Sequence, residues 1–123
     1  MTILPHVHDT RSLTVFTAKG ELTFDGQMAA LRDFYNGTPT ADVIWDLRMT
    51  SGNRISVVEL RKIVVFIKQY ADRRPPGRTA LVSADNLDFG WGRVVEMYAE
   101  IENLPWHIRT FSSMSEATRW ING

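Results

Sequence analysis

The chain has 123 residues, 44% of them hydrophobic and 23% charged, the make-up of one globular domain able to bury a core without staples. Fourteen basic and fourteen acidic side chains leave a net charge of zero. That argues against a dedicated nucleic-acid binder, whose affinity comes from a basic surplus. Cysteine is absent, which excludes disulfides, thiol nucleophiles and thiolate metal sites and fits a reducing, cytoplasmic compartment.

The opening stretch MTILPHVHDT has no cationic start followed by an apolar run, so no signal peptide is expected. The longest aliphatic and aromatic run, IVVFI from Ile63, is far short of the ~20 residues of a membrane span. Leu13, Val15 and Thr17 alternate with Thr14, Phe16 and Ala18, a period-2 pattern that predicts a strand. A short strand over 5–8 pairs with it across residues 9–12, adding an antiparallel strand at or near one edge. GELTFDG then closes the strand and opens a helix. Phe24, Met28, Leu31 and Tyr35 form its apolar face, and Asn36-Gly37 with Pro39 stops it.

The next strand spans 43–47, and a loop, RMTSGNRI, leads to a second helix over 56–72. Ser56 and Glu59 form an S-x-x-E capping box at its start. Val57, Leu60, Val64, Ile67 and Ala71 make the core stripe. Val58 and Val65 fall in the opposite arc among Arg61, Lys62, Lys68, Gln69 and Asp72, where they mark a partner surface or a dimer seam. RRPPGR ends this helix. A strand over 79–83, a loop over 85–88 and a third helix over about 89–103 follow, with Val94, Val95, Tyr98 and Ile101 inward. A last strand over 106–111 precedes a short helix with a second capping box, Ser113 and Glu116. The order β-β-α-β-α-β-α-β-α predicts an α/β fold over 1–123, one mixed sheet with helices packed on it through right-handed crossovers.

In such sheets ligands sit beyond the carboxyl ends of the strands. That rule selects Asp46, Arg48, Thr50, Ser51, Asn53 and Arg54 after one strand, Ser83, Asp85, Asn86 and Asp88 after the next, and Thr110, Ser112 and Ser113 after the last. Helix N-termini there, with Arg54 and Arg93, would make an anion-binding rim; Ser56, Asp88 and Ser113 are equally well explained as helix caps. FGWGR lacks the third glycine of a dinucleotide fingerprint and the Gly-Lys-Ser/Thr of a phosphate loop, so no cofactor is expected. Its glycines let the turn pack closely or line a slot between Phe89 and Trp91. His6, His8 and His107 have no supporting carboxylate spacing for a metal. There is no G-x-S-x-G elbow, and nothing pairs Asp46, Asp85 or Asp88 with a nucleophile. No reaction is expected.

Three stretches resemble the bacterial SpoIIAA-like family, which is related to STAS domains and also described as STAS/Sec14-like. They are GELT from Gly20, VIWDLRMTSGNRIS from Val43, and DNLDFGWGRVVEMYAEIENLPWHIRTFSSMSEATRWI from Asp85; the last is the most specific. The resemblance implies a non-catalytic binding or regulatory module acting through protein–protein interaction. In anti-sigma factor antagonists of this kind a serine in an Asp-Ser-Ser-Gly turn at the start of the second helix is phosphorylated. Here NRISVV stands there, with Ser56 near the matching place. The Sec14-like description implies instead a carrier or sensor of a small apolar or lipid-like ligand. Phe89, Gly90, Trp91, Gly92 and Arg93 would grip it, with polar contacts from Asp46, Thr50, Ser51, Asn53 and Arg54. A chain this short favours a shallow groove or a dimer interface over a deep pocket. The expected assembly is a homodimer, with an unidentified protein or lipid-like partner.

Overall fold

The computed structural model describes residues 1–8 and 11–123, apart from the side chains of residues 86–89. In chain order the elements are β1 (Thr2–His8), β2 (Leu13–Leu22), α1 (Phe24–Asn36), β3 (Asp42–Asn53), α2 (Val57–Gln69), β4 (Arg78–Val82), α3 (Asn86–Ile101), β5 (His107–Phe111) and α4 (Met114–Asn122), with a 3-10 turn at Ala71–Arg73. They form one sheet ordered β1-β2-β3-β4-β5. β1 pairs antiparallel with β2 and the other pairs are parallel. The expected edge strand and alternating order are both present; residues 9 and 10 of the first connection lie outside the described residues.

The strand order has a physical consequence. Each parallel step moves one place in the same direction, so right-handed crossovers put every crossover helix on the same face. α1, α2 and α3 lie side by side there, α2 between the other two. Strand alternation sends Phe16, Val43, Trp45, Leu47 and Leu81 to that face, against Met28, Leu31, Tyr35, Leu60, Ile63 and Val95. The Phe16 and Trp45 rings stack with centroids 4.1 Å apart. Among the described residues α4 is the helix on the opposite face, with Ala117 and Ile121 on Leu13, Ile44, Ala80, Val82 and Phe111.

The structure corrects several boundaries. The predicted loop after Leu47 is strand: β3 continues to Asn53 alongside β2, which continues to Leu22. Their register shifts twice, between Thr17 and Lys19 and between Gly20 and Glu21, where β3 carries an extra residue each time, and Gly20 turns with φ +81° at this irregular stretch. β4 pairs with β3 only as far as Asp46, so beyond that point β2 and β3 project as a two-stranded ribbon. The polar, bulged composition of this ribbon hides its strand character from periodicity. α3 starts at Asn86, three residues earlier than predicted. α2 ends at Gln69, because the chain tightens into the 3-10 turn ahead of Pro75. Val57 and Ile101, read as core, are each 60% exposed; they are the first residue of α2 and the last of α3.

Candidate functional site

The strand-end residues are largely occupied with one another. Asp46 is buried, and Arg48 closes on it as a fork: Nε donates to Oδ1 at 2.9 Å, Nη2 to Oδ2 at 2.9 Å and the backbone N to Oδ1 at 3.2 Å. Burial alone would raise the Asp46 pKa, but the Arg48 bonds outweigh it and hold the carboxyl below the ordinary aspartate range. An aspartate so bound is a structural anchor of the ribbon rather than a poised base. Thr50 Oγ1 donates to the Leu47 carbonyl at 2.7 Å. Ser51 is exposed on β3. Asn53 Oδ1 accepts from Ile55 N at 2.9 Å, turning the chain into α2.

The cations of the expected anion rim also have partners. Arg54 Nε reaches Glu21 Oε2 at 2.6 Å, an exposed pair, and Arg93 Nε lies 3.9 Å from Glu96 Oε2. Ser56 Oγ accepts from Glu59 N at 3.1 Å while Glu59 Oε1 accepts from Ser56 N at 3.0 Å, so the predicted capping box is complete. Ser113 caps α4 by accepting from Glu116 N at 3.2 Å. The side chains of Asn86, Asp88 and Phe89 lie outside the described residues. His6 and His8 touch edge to face at 4.5 Å on β1, whereas His107 is on β5 at the opposite edge of the sheet. Sheet order alone therefore separates the three imidazoles.

FGWGR lies within α3 rather than ahead of it. Its two glycines differ. A Cβ on Gly92 would stand 2.6 Å from Thr110 Oγ1 and 2.7 Å from Thr110 Cγ2, so the helix seats on β5 through this residue. Thr110 is fixed in turn, its hydroxyl donating to Glu96 Oε2 at 2.6 Å. A Cβ on Gly90 would meet nothing within 4 Å. Close packing thus accounts for Gly92 and leaves Gly90 unexplained by packing.

Trp91 turns inward and lines a cavity of about 60 Å³ between α2 and the sheet. Leu31, Leu60, Val64, Leu81 and Val95 supply apolar wall; Tyr35, Arg74, Thr79 and Trp106 supply aromatic and polar wall. Arg48, Thr50, Ser51, Asn53, Arg54 and Arg93 are not among its lining residues, so the predicted cradle divides into an inward tryptophan and an outward polar ribbon.

Arg74 is buried. Its Nε and Nη2 donate to the Ala41 carbonyl at 3.1 and 2.9 Å, Nη2 also reaches the Arg78 carbonyl at 2.9 Å, and the guanidinium lies 4.3 Å over the Trp106 ring. Burial lowers its pKa to about 10, against the opposing pull of Tyr35 and Asp42, so it remains charged at neutral pH. Burial likewise raises the Tyr35 hydroxyl, with Arg74 opposing. Thr79 Oγ1 and Trp91 Nε1 are buried with no hydrogen-bond partner among the described residues.

Sequence reasoning saw Tyr35, Thr79 and Trp106 only as helix or strand residues, and Arg74 only as part of the stretch that ends α2. Alternation along β4 places Thr79 on the same face as Leu81 and was available as a signal. Nothing local distinguishes buried Arg74 from its exposed neighbour Arg73.

On the outer side of α2, Val58 and Val65 line a shallow groove with Arg61, Lys62, Phe66 and Gln69. Val57, Val58 and Val65 are 60, 67 and 37% exposed.

Comparison with known proteins gives a fold. No protein-family model and no curated protein matches the chain. Among solved structures, an uncharacterized protein of the DUF3478 family with a SpoIIAA-like fold, from Shewanella loihica PV-4, matches with a TM-score of 0.60 and 17% identity over 98% of this chain and 92% of that one. The anti-sigma factor antagonist SpoIIAA in its unphosphorylated form matches with a TM-score of 0.55 and 18% identity over 99% of both chains. Both matches run the length of the sheet and its helices, and the chain is therefore an α/β protein with the SpoIIAA-like fold.

Proposed function

We propose that this protein is a non-catalytic binding and regulatory module that presents the outer face of α2 to a protein partner. The observation that carries this reading is the exposure of Val58 and Val65 on a helix whose inner face is already satisfied by Leu60, Ile63 and Val64. Apolar side chains clustered on one exposed face, with Arg61 and Lys62 beside them, have the make-up of an interaction patch with a polar rim. The fold supports it, since a structure of the same fold is an anti-sigma factor antagonist. The charge-bearing switch we assign to this face is Ser56, exposed at the N-cap of α2. Negative charge there meets the positive end of the helix and is tolerated by the fold. Self-association through the same valines gives the homodimer reading, and a cytoplasmic setting goes with it; among the described residues no helix is long and apolar enough to cross a membrane.

The test is affinity capture from the native organism with three baits. Ser56→Asp preserves the cap, because Asp and Ser cap about equally well, and is expected to release the partner retained by the unaltered protein. Val58→Glu with Val65→Glu is expected to release it as well. A partner held equally by all three baits would remove α2 from the interface. Sedimentation of the same proteins reads self-association.

A second reading, a carrier or sensor of a small apolar ligand, is favoured by one observation: two residues that line a largely apolar cavity, Trp91 and Thr79, each carry a buried polar atom with no partner among the described residues.

A further inference from the structure

We infer that the cavity beneath α2 takes the acid end of a small monocarboxylic acid with an apolar body, the carboxylate meeting Arg74. The inference rests on the ligand reading of this cavity just given, and it names the chemistry that the cavity selects.

The first argument is charge. Arg74 is 7% exposed, and among the described residues no carboxylate lies within ion-pair distance of it. Its hydrogen bonds go to neutral oxygens, the carbonyls of Ala41 and Arg78 and the hydroxyl of Tyr35. Asp42 acts on it only at longer range, and one oxygen of that carboxylate is engaged by Arg78 N at 2.9 Å. A buried cation is normally retained with an opposite charge, because desolvation without one is costly. Here the stack on Trp106 and the carbonyls offset part of that cost and leave a full positive charge beside the cavity.

The second argument is donor chemistry. Guanidinium and indole N–H groups only donate, and a threonine hydroxyl donates readily. Arg74, Trp91 and Thr79 line the same space, and Trp91 Nε1 and Thr79 Oγ1 are unpartnered among the described residues. Such a set favours a ligand that brings acceptor oxygens. One cation balances one negative charge, so a monoanionic carboxylate matches Arg74 better than a phosphate dianion.

The third argument is size. The space of about 60 Å³ exceeds the roughly 10–15 Å³ one water requires and is below the ~150 Å³ of a cavity that holds benzene. It therefore accommodates the head of a small acid. Phe34, Ile67, Trp91 and Ile108 are only partly buried at its rim and give the apolar body an exit.

The experiment is an NMR titration of the 15N-labelled protein with hexanoate and benzoate, each against its primary amide. The acids are expected to move the indole N–H signals of Trp91 and Trp106, which line the cavity, and to leave Trp120, on the opposite face of the sheet, in place. Acid is expected to bind about tenfold tighter than amide at neutral pH, the difference between a charge-assisted and a neutral hydrogen bond. Arg74→Met is expected to abolish that preference. Because Arg74 also ties Ala41 to Arg78, Thr79→Val, which removes only a hydroxyl, provides a second variant. It is expected to weaken the acid in a protein that still folds. Equal affinity for acid and amide would overturn the assignment of charge and leave the ligand reading standing. Binding of neither at millimolar concentration, or shifts at Trp120 alone, would overturn both.

Discussion

Gly90 and Gly92 stand two residues apart on α3 in opposite surroundings, and single substitutions report on each. Gly92→Ala forces a methyl against Thr110, which Glu96 prevents from yielding. Overpacking of about 1–3 kcal/mol outweighs the helix gain of about 1 kcal/mol, so the thermal midpoint should fall by several degrees. Gly90→Ala meets open space and should stabilise by about 0.5–1 kcal/mol. Calorimetry that gave the reverse order would show that α3 does not seat on β5 through Gly92. Asp46 supplies a pH-dependent test. Its folded pKa lies below the ordinary 3.8, so the stability it contributes is present above that value and is lost as pH falls through the folded one. Asp46→Asn should cost about 1 kcal/mol at neutral pH, a modest figure because the Arg48 side chain is 45% exposed. Denaturant titrations at descending pH should show the two proteins converging in acid. A gap independent of pH would mean that the Arg48 fork does not stabilise the charged form.

Among the elements, α4 has the simplest task and the clearest dependence on packing. Among the described residues it is the helix on its face of the sheet, where Ala117 and Ile121 rest on Ile44, Ala80 and Val82. Ile121→Ala should therefore cost about 2–4 kcal/mol with little change in helix content, and a loss under 1 kcal/mol by urea denaturation would show that face to be dispensable. α2 differs. Its capping box and inner face fix its position, while Val58 and Val65 on its outer side are exposed. The ribbon formed by the ends of β2 and β3 is held by local pairs, Asp46 with Arg48 and Glu21 with Arg54. The Glu21–Arg54 pair is exposed and contributes little stability, whereas Asp46 is buried and its fork with Arg48 anchors the base of the ribbon.

At the scale of the molecule, the two faces share one sheet and should unfold together. Trp45, Trp91 and Trp106 report on the three-helix face and Trp120 on the α4 face. Fluorescence of Trp120 alone, in a variant with the other three replaced by Phe, should follow the same urea transition as far-UV circular dichroism of that variant. Separate midpoints would show that α4 detaches before the sheet melts. The cavity is also a whole-molecule property. It exists where α1, α2 and α3 meet the large side chains of the sheet, and it brings Tyr35 of α1, Thr79 of β4, Trp91 of α3 and Trp106 to one space.

Local patterns in the sequence specify the alternation of strands and helices, the antiparallel edge strand, the capping box of α2, the Ser113 cap of α4 and the outward placement of Val58 and Val65. Each of these is written in local patterns: period-2 or period-3.6 spacing of apolar residues, or a cap and its partner three residues on. The continuation of β3 to Asn53 was not legible, because its strand character depends on pairing with β2 rather than on its own composition. The division of FGWGR into a packing glycine, an open glycine and an inward tryptophan depends on Thr110, eighteen positions beyond Gly92. The burial of Arg74 with no carboxylate at ion-pair distance among the described residues is set by tertiary packing, since burial and charge pairing depend on residues distant in the chain. The candidate ligand site is therefore a product of the packed fold, whereas the candidate partner face could be read from a helical period.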